Sequence, residues 1–261
     1  MSDHMMRWLT PRILDPTGKV KEDIADMWFH PPPPPKVGVS APVPERYFTQ
    51  RFFLWIPRRL WSIEFFCVQD SCQRKVLTSK GLYRNLRDVT DLSDLYLMGT
   101  EYYECKACKH TYIAWSQDVL EQLDPGHRHV FPVVFTYKKA CDIRVVTLSR
   151  SRTLGNSSTA LQHSLEELHS EEWLRKTLLY LSDCEQHRRR ARTGVLPQRD
   201  VTYGPPPSYV PIGGQRWVLS TYRQDALRRV EETKAQITSV YGAVLKVDST
   251  KKVKKKINLG R

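Results

Sequence analysis

The chain has 261 residues, with 41 Lys and Arg against 28 acidic side chains and a formal charge of +13. A balance this basic favours polyanionic partners, nucleic acid before an anionic membrane surface, with a solvated basic surface as the plain alternative. No stretch reaches the roughly 20 apolar residues of a membrane span, and Met1–Thr10 lacks the apolar centre of a secretion signal. An intracellular chain is therefore expected, with no membrane partner and no sign of a small-molecule substrate. Six cysteines in a reducing compartment favour metal ligation over disulfides.

Residues 1–44 read as an irregular arm. Pro31–Pro35 are consecutive, and Pro42 and Pro44 follow. Proline fixes φ and offers no N–H, so the arm is extended. It is a spacer, or a segment read by a polyproline-binding partner. Residues 45–115 read as a β-rich module. Tyr47–Ile56 and Trp61–Cys67 are aromatic and branched enough for strands, while Glu101–Cys105 and Thr111–Trp115 bracket a cysteine pair as a hairpin. Leu82–Leu97 has no clean period.

Residues 116–186 read as a helical domain. Ser116 caps Gln117–Leu123, and Asp124-Pro125-Gly126 stops it. Asp142–Arg152 is the next helix, although its branched residues also suit a strand. Leu154-Gly155-Asn156 is a turn. Ser157 or Ser158 then caps Thr159–His169, with Leu161, Leu165 and Leu168 spaced four and three apart. Ser170 opens a further helix to Leu181, with Glu171 and Glu172 suiting its dipole. Residues 187–216 are a basic, Pro- and Gly-rich linker.

Residues 217–261 read as the truncated start of another unit. Thr221–Tyr241 is an amphipathic helix with Leu227, Val230, Ile237 and Tyr241 on one stripe. Gly242 ends it, and Val244–Asp248 follows as a strand ending in a carboxylate. The expected fold class is α+β: a small zinc-ribbon-like β module, a helical domain of helix-turn-helix layout, then a helix–strand fragment.

Two cysteine pairs, Cys67-x4-Cys72 and Cys105-x2-Cys108, lie 32 residues apart. Two pairs on two turns can close a tetrahedral sulfur shell around a structural Zn²⁺, with no position open for substrate. The alternative is four buried free thiols. The x4 loop is longer than the usual x2, and His110 is the substitute ligand should Cys72 not join. Cys141 and Cys184 are read as packed. His127 and His129, with no acidic partner expected nearby, are read as surface residues.

For nucleic acid, Arg144, Arg150 and Arg152 are candidate phosphate contacts. Asn156, Ser157, Ser158, Gln162 and His163 are of base-reading type. Glu166 and Glu167 make the second helix's exposed face acidic, so an αα-hairpin that only packs stays open. Arg188, Arg189, Arg190 and Arg192 are a solvated face, a nuclear address or a phosphate clamp. Lys251, Lys252, Lys254, Lys255 and Lys256 read the same way.

Several segments together resemble one family: Pro31–Pro35, Tyr47-Phe48 with Phe52-Phe53-Leu54-Trp55, Phe131-Pro132, Arg152-Thr153-Leu154-Gly155-Asn156, and Val247-Asp248-Ser249-Thr250-Lys251. The resemblance, over roughly residues 29–261, is to the N-terminal region of uncharacterised transposon-derived animal proteins. In these a cysteine-bearing domain precedes a transposase-like RNase H core. The resemblance implies DNA as partner and matches Asp248 to the first acid of an Asp-Asp-Glu set. No acids follow Asp248, and two-metal chemistry needs several carboxylates. The expectation is a non-catalytic, DNA-binding, nuclear chain. The other readings are a protein-interaction scaffold using the Pro-rich arm and aromatic module, and a fragment of a metal-dependent transposase or nuclease.

Overall fold

A computed structural model describes residues 3–34, 36, 38, 40–137, 139–150, 157–194 and 201–241. Its centre is one strand. β5 (Leu95–Glu104) is ten residues long, and each half has its own partners. The first half pairs antiparallel with β4 (Arg87–Thr90) on one side. On the other it pairs parallel with β2 (Phe52–Trp55), in register from Phe52↔Leu97 to Trp55↔Thr100. The second half pairs antiparallel with β3 (Thr78–Leu82) and β6 (Thr111–Ile113). Gly99 sits near the changeover, where a Cβ would meet the Phe52 ring at 2.5 Å. β1 (Trp28–Phe29) extends the sheet beyond β2, and β8 (Ala140–Asp142) and β7 (Val133–Phe135) extend it beyond β4. The protein is thus mixed α+β with a curled eight-stranded sheet.

β2 shows why the strand period of two matters. All four of its residues are buried, but to two sides. Phe53 and Trp55 enter the main core with Tyr96, Met98 and Phe131. Phe52 and Leu54 turn to Met5, Leu9 and Ile13 of α1 (Asp3–Ile13). Residues 1–44 are accordingly not wholly an arm. The four-residue spacing of Met5, Leu9 and Ile13 builds a helix that covers the sheet. Pro11, near its C-terminal end, is what disguises it. Residues 31–34 of the proline run have no regular structure, as expected.

Further differences have local causes. Tyr47–Ile56 divides into α2 (Glu45–Phe48) and β2, and Trp61–Cys67 is not a strand: Trp61 ends α3 (Pro57–Trp61), whose first residue is a proline. Asp124-Pro125-Gly126 ends one short helix, α4 (Gln117–Leu120), and starts another, α5 (Pro125–Val130). Asp124 caps the latter by accepting from the His127 amide at 3.1 Å. His127 also pairs with Asp124, correcting the expectation that it has no acidic partner. β7 and β8 fall inside residues 116–186, expected as a helical domain, and β8 reaches the start of Asp142–Arg152, whose branched residues also suit a strand.

The helices expected at Thr159–His169 and Ser170–Leu181 are one, α7 (Ser158–Arg192), capped by Ser157 accepting from the Ala160 amide at 3.1 Å. Ser170 does not break it, because its hydroxyl donates to the Glu167 carbonyl at 2.9 Å inside the helix. The linker expected from residue 187 therefore begins later. Residues 203–209 are a strap running antiparallel along α7. Tyr203 OH meets His187 Nδ1 at 2.8 Å, Tyr180 OH donates to the Gly204 carbonyl at 2.6 Å, and Trp173 Nε1 donates to the Pro207 carbonyl at 2.9 Å. A proline-rich segment short of N–H groups docks well through its carbonyls. α8 (Gln215–Tyr241) then buries Val218, Thr221 and Asp225, leaving Leu227 and Val230 more than half exposed. The first two residues of the stripe expected from the sequence thus lie off its packed face, and the side chains of Ile237 and Tyr241 lie outside the described residues.

Charge ties these helices to the sheet. β4 and β8 are parallel, so Asp91, just past β4, lies beside Asp142 at the end of β8. Asp91 pairs with both Arg51 and Arg144. Asp142 accepts from Tyr96 OH at 2.9 Å and from the Arg144 amide at 2.9 Å. Burial pushes its carboxyl up from the usual range. His169 on α7 contacts the Asp91 carbonyl at 2.8 Å, and Lys176 pairs with Asp94. Arg150 of α6 (Ile143–Arg150) grips Asp225 of α8 through two bonds of 2.7 and 2.5 Å. Asp91→Ala removes the shared partner of two guanidiniums and is expected to cost about 1–3 kcal/mol, whereas Arg144→Ala leaves Asp91 with Arg51 and costs less. Urea unfolding of both variants at unchanged m-value checks the ranking.

Candidate metal centre

Two turns bring the cysteines together. The second is the β5–β6 hairpin: Cys105 follows the last residue of β5, its amide donates to the His110 carbonyl at 3.0 Å, and Lys109 returns its amide to the Cys105 carbonyl at 2.8 Å with φ of 62°. The first turn is built the same way. The Cys67 amide donates to the Lys75 carbonyl at 2.8 Å, and the Leu77 amide to the Phe65 carbonyl at 2.7 Å. Its longer x4 spacing is taken up by a 3₁₀ turn over Asp70–Cys72, followed by Gln73 and Arg74 at φ of 45° and 56°. The extra residues thus curl the loop back without moving Cys72 away from the pair opposite.

The four sulfurs of Cys67, Cys72, Cys105 and Cys108 lie within 4.8 Å of one another. Cys67 and Cys108 are 3.7 Å apart and Cys72 and Cys105 3.8 Å apart. A tetrahedron with metal–sulfur bonds of about 2.3 Å has edges of about 3.8 Å. All four cysteines are free thiols; three are buried and Cys108 is exposed. Four sulfurs at this spacing can hold a metal ion. Tyr112 OH lies 3.2 Å from Cys67 Sγ, an outer hydrogen bond of the kind that orients a ligand. His110 is not in the cluster; its ring lies edge-on to Tyr112, with centroids 4.6 Å apart. Cys141 and Cys184 are buried elsewhere.

The thiols are not equivalent. The Cys108 and Ala107 backbone N–H groups bring Cys105 down to about 7, a value at which it is readily a thiolate. Cys72 is pushed up to about 12 by its bond to Cys108 and by burial.

Around the centre the exposed loops carry Arg74, Lys75, Lys106 and Lys109 against Asp70. These cations are not among the candidates named from the sequence, although Lys106 and Lys109 sit in and beside the Cys-x2-Cys loop. Several candidate nucleic-acid residues already have partners within the chain. Arg144 and Arg150 are spent on Asp91, Asp142 and Asp225. Ser158 Oγ accepts from Gln215 Nε2 at 3.0 Å, and Gln162 donates to Glu166 at 2.8 Å. Arg188, Arg189 and Arg190 are exposed near the end of α7, the first two paired with Glu185. Arg152, Asn156, Asp248, Lys251, Lys252 and Lys254 lie outside the described residues.

The family described as a domain of unknown function, DUF6729, matches residues 1–227. The chain belongs to this family. No curated protein and no solved structure matches it. The DUF6729 match contains all four cysteines, both turns and the whole of α7. Among the described residues, no helix is long and apolar enough to cross a membrane.

Metal must displace protons from the thiols, so its affinity falls as pH drops, and uptake releases protons. Retention of metal by the DUF6729 domain is expected to weaken steeply below pH of about 6. Chelation, or Cys105→Ser, is expected to lower the melting temperature by about 10 °C or more, since the two turns then lose their common anchor. Metal content against pH, with thermal melts before and after chelation, checks both.

Proposed function

We propose that this DUF6729 chain is a zinc-organised, non-catalytic DNA-binding module of a transposon-derived nuclear protein. The observation that carries the binding reading is the set of exposed cations on the metal turns: Arg74, Lys75, Lys106 and Lys109. A tetrathiolate zinc centre has a net charge of about −2, and these side chains more than offset it, in a chain of +13. Zinc suits an all-thiolate tetrahedral shell better than the hard cations, which take oxygen. Its role is structural, and the two hairpin turns then form a zinc-ribbon-like unit. The helix-turn-helix alternative has less support, because two of its arginines, Arg144 and Arg150, already pair with carboxylates, and Gln215 of α8 bonds Ser158 at the start of α7.

The non-catalytic part rests on the buried carboxylates. Asp91, Asp142 and Asp225 are held by arginines. Glu101 accepts from Ser79 at 2.7 Å and Tyr103 at 3.0 Å, with Arg59 3.5 Å away. Among the described residues, carboxylates so engaged support the fold rather than a catalytic ion pair.

Phosphate contacts release counterions, so the log of affinity falls with log salt by about 0.9 per contact. The fourfold variant Arg74→Ala, Lys75→Ala, Lys106→Ala, Lys109→Ala is expected to weaken duplex binding for all sequences and to reduce the salt slope by about 2–4. Arg144→Ala is expected to leave binding unchanged. Fluorescence anisotropy at several salt concentrations reads both, with metal content confirming an intact centre. Loss only in Arg188→Ala, Arg189→Ala, Arg190→Ala moves the contact to α7; no salt-dependent binding by the wild type overturns the reading.

A further inference from the structure

α7 is apolar on two faces. One packs inward through Leu165, His169, Tyr180, Cys184 and His187, where the strap also lies. The other carries Leu174, Leu178 and Leu181, which are 49%, 56% and 48% exposed. Their spacing of four and three is that of a coiled-coil seam. The same alternation continues outward, to Glu171 and Glu167 toward the N-terminus and to Glu185, Arg188 and Arg192 toward the C-terminus. The seam is therefore acidic at its start, leucine at its centre and, beyond Glu185, basic at its end.

We propose that this seam is the interface of an antiparallel homodimer. Only a partner of opposite direction places basic end on acidic end, and a second copy provides that partner. The register follows from the spacing. Leu178 stacks on Leu181 of the second copy, Leu174 meets the stem of its Glu185, whose carboxylate keeps Arg189 of its own helix, Glu171 faces its Arg188, and Glu167 faces its Arg192. In this register every layer joins the two positions of the apolar repeat that face one another in antiparallel pairs. A parallel pairing would set Glu on Glu and Arg on Arg. Arg188 now bonds Glu185 of its own helix at 2.9 Å at an exposed site. Such a pair is worth little, so its exchange for the second copy's Glu171 is cheap. A three-leucine seam is small for an interface, and the association is expected near micromolar.

The test is the mass of the full chain by sedimentation or light scattering over about 1–100 μM. The wild type is expected to double in mass across this range and Leu178→Glu to stay monomeric. Two charge variants, Glu167→Arg with Glu171→Arg, and Arg188→Glu with Arg192→Glu, are each expected to be monomeric alone and to form a dimer when mixed. All positions are exposed, so melting temperatures should match the wild type and exclude unfolding as the cause. A wild type that stays monomeric, or variants that keep the doubled mass alone, overturns the proposal. Failure of the mixture to associate overturns the antiparallel register.

Discussion

One strand bears the architecture. β5 is hydrogen-bonded on both sides along nearly its whole length, by two pairs of strands in succession. Its first half fixes Tyr96 against Asp142 and Met98 in the core; its second half delivers Cys105 at its end. Strand pairing is all-or-none in register, because a slip of one residue turns every side chain to the opposite face. The polar network at one end and the sulfur cluster at the other are thus set by the same register. A bend is needed to serve both halves, and Gly99, with the Phe52 ring pressed into the space of a Cβ, allows it.

The second organising fact is how the positive charge is spent. A formal excess of +13 reads as an invitation to polyanions, yet much of the arginine in the middle of the chain is structural. Arg51, Arg144 and Arg150 neutralise carboxylates buried between the sheet and the helices. Arg51 also lies over the rings of Trp28 and Tyr96, at 5.0 and 5.2 Å. Arginine suits this use, since its planar fork can satisfy a carboxylate while its face packs on aromatic rings. Among the described residues, the metal turns and the end of α7 carry exposed cations, and the strength of the proposed binding depends on where the cations sit more than on their number.

α7 links these themes. Along one side it is fastened by the strap and by Lys176 and His169 to the sheet; along the other it carries leucines into solvent. A helix apolar on two sides is under constraint from two neighbours. One neighbour is within the chain, and the proposed second copy would cover the other.

The sequence by itself determined the cysteine centre, the β5–β6 hairpin around Cys105, the α+β class and the helical character of Thr159–Leu181 and Thr221–Tyr241. These depend on local patterns: paired thiols at short spacing, alternating aromatic residues, serine caps before periodic leucines. Tertiary structure alone decided the rest. Asp142–Arg152 reads as a helix whose branched residues also suit a strand; β8 ends and α6 begins at Asp142–Ile143, and only pairing with β4 marks the boundary. The break expected at Ser170 vanishes because a serine hydroxyl can bond within a helix. The arm hides α1 because three apolar residues around a proline signal little until Phe52, Leu54 and Ile56 give them a surface. The role of an arginine is the least legible of all. Its side chain is the same whether it meets a phosphate or a buried aspartate, and Asp91 and Asp225 lie 53 and 75 residues from the arginines Arg144 and Arg150 that they hold.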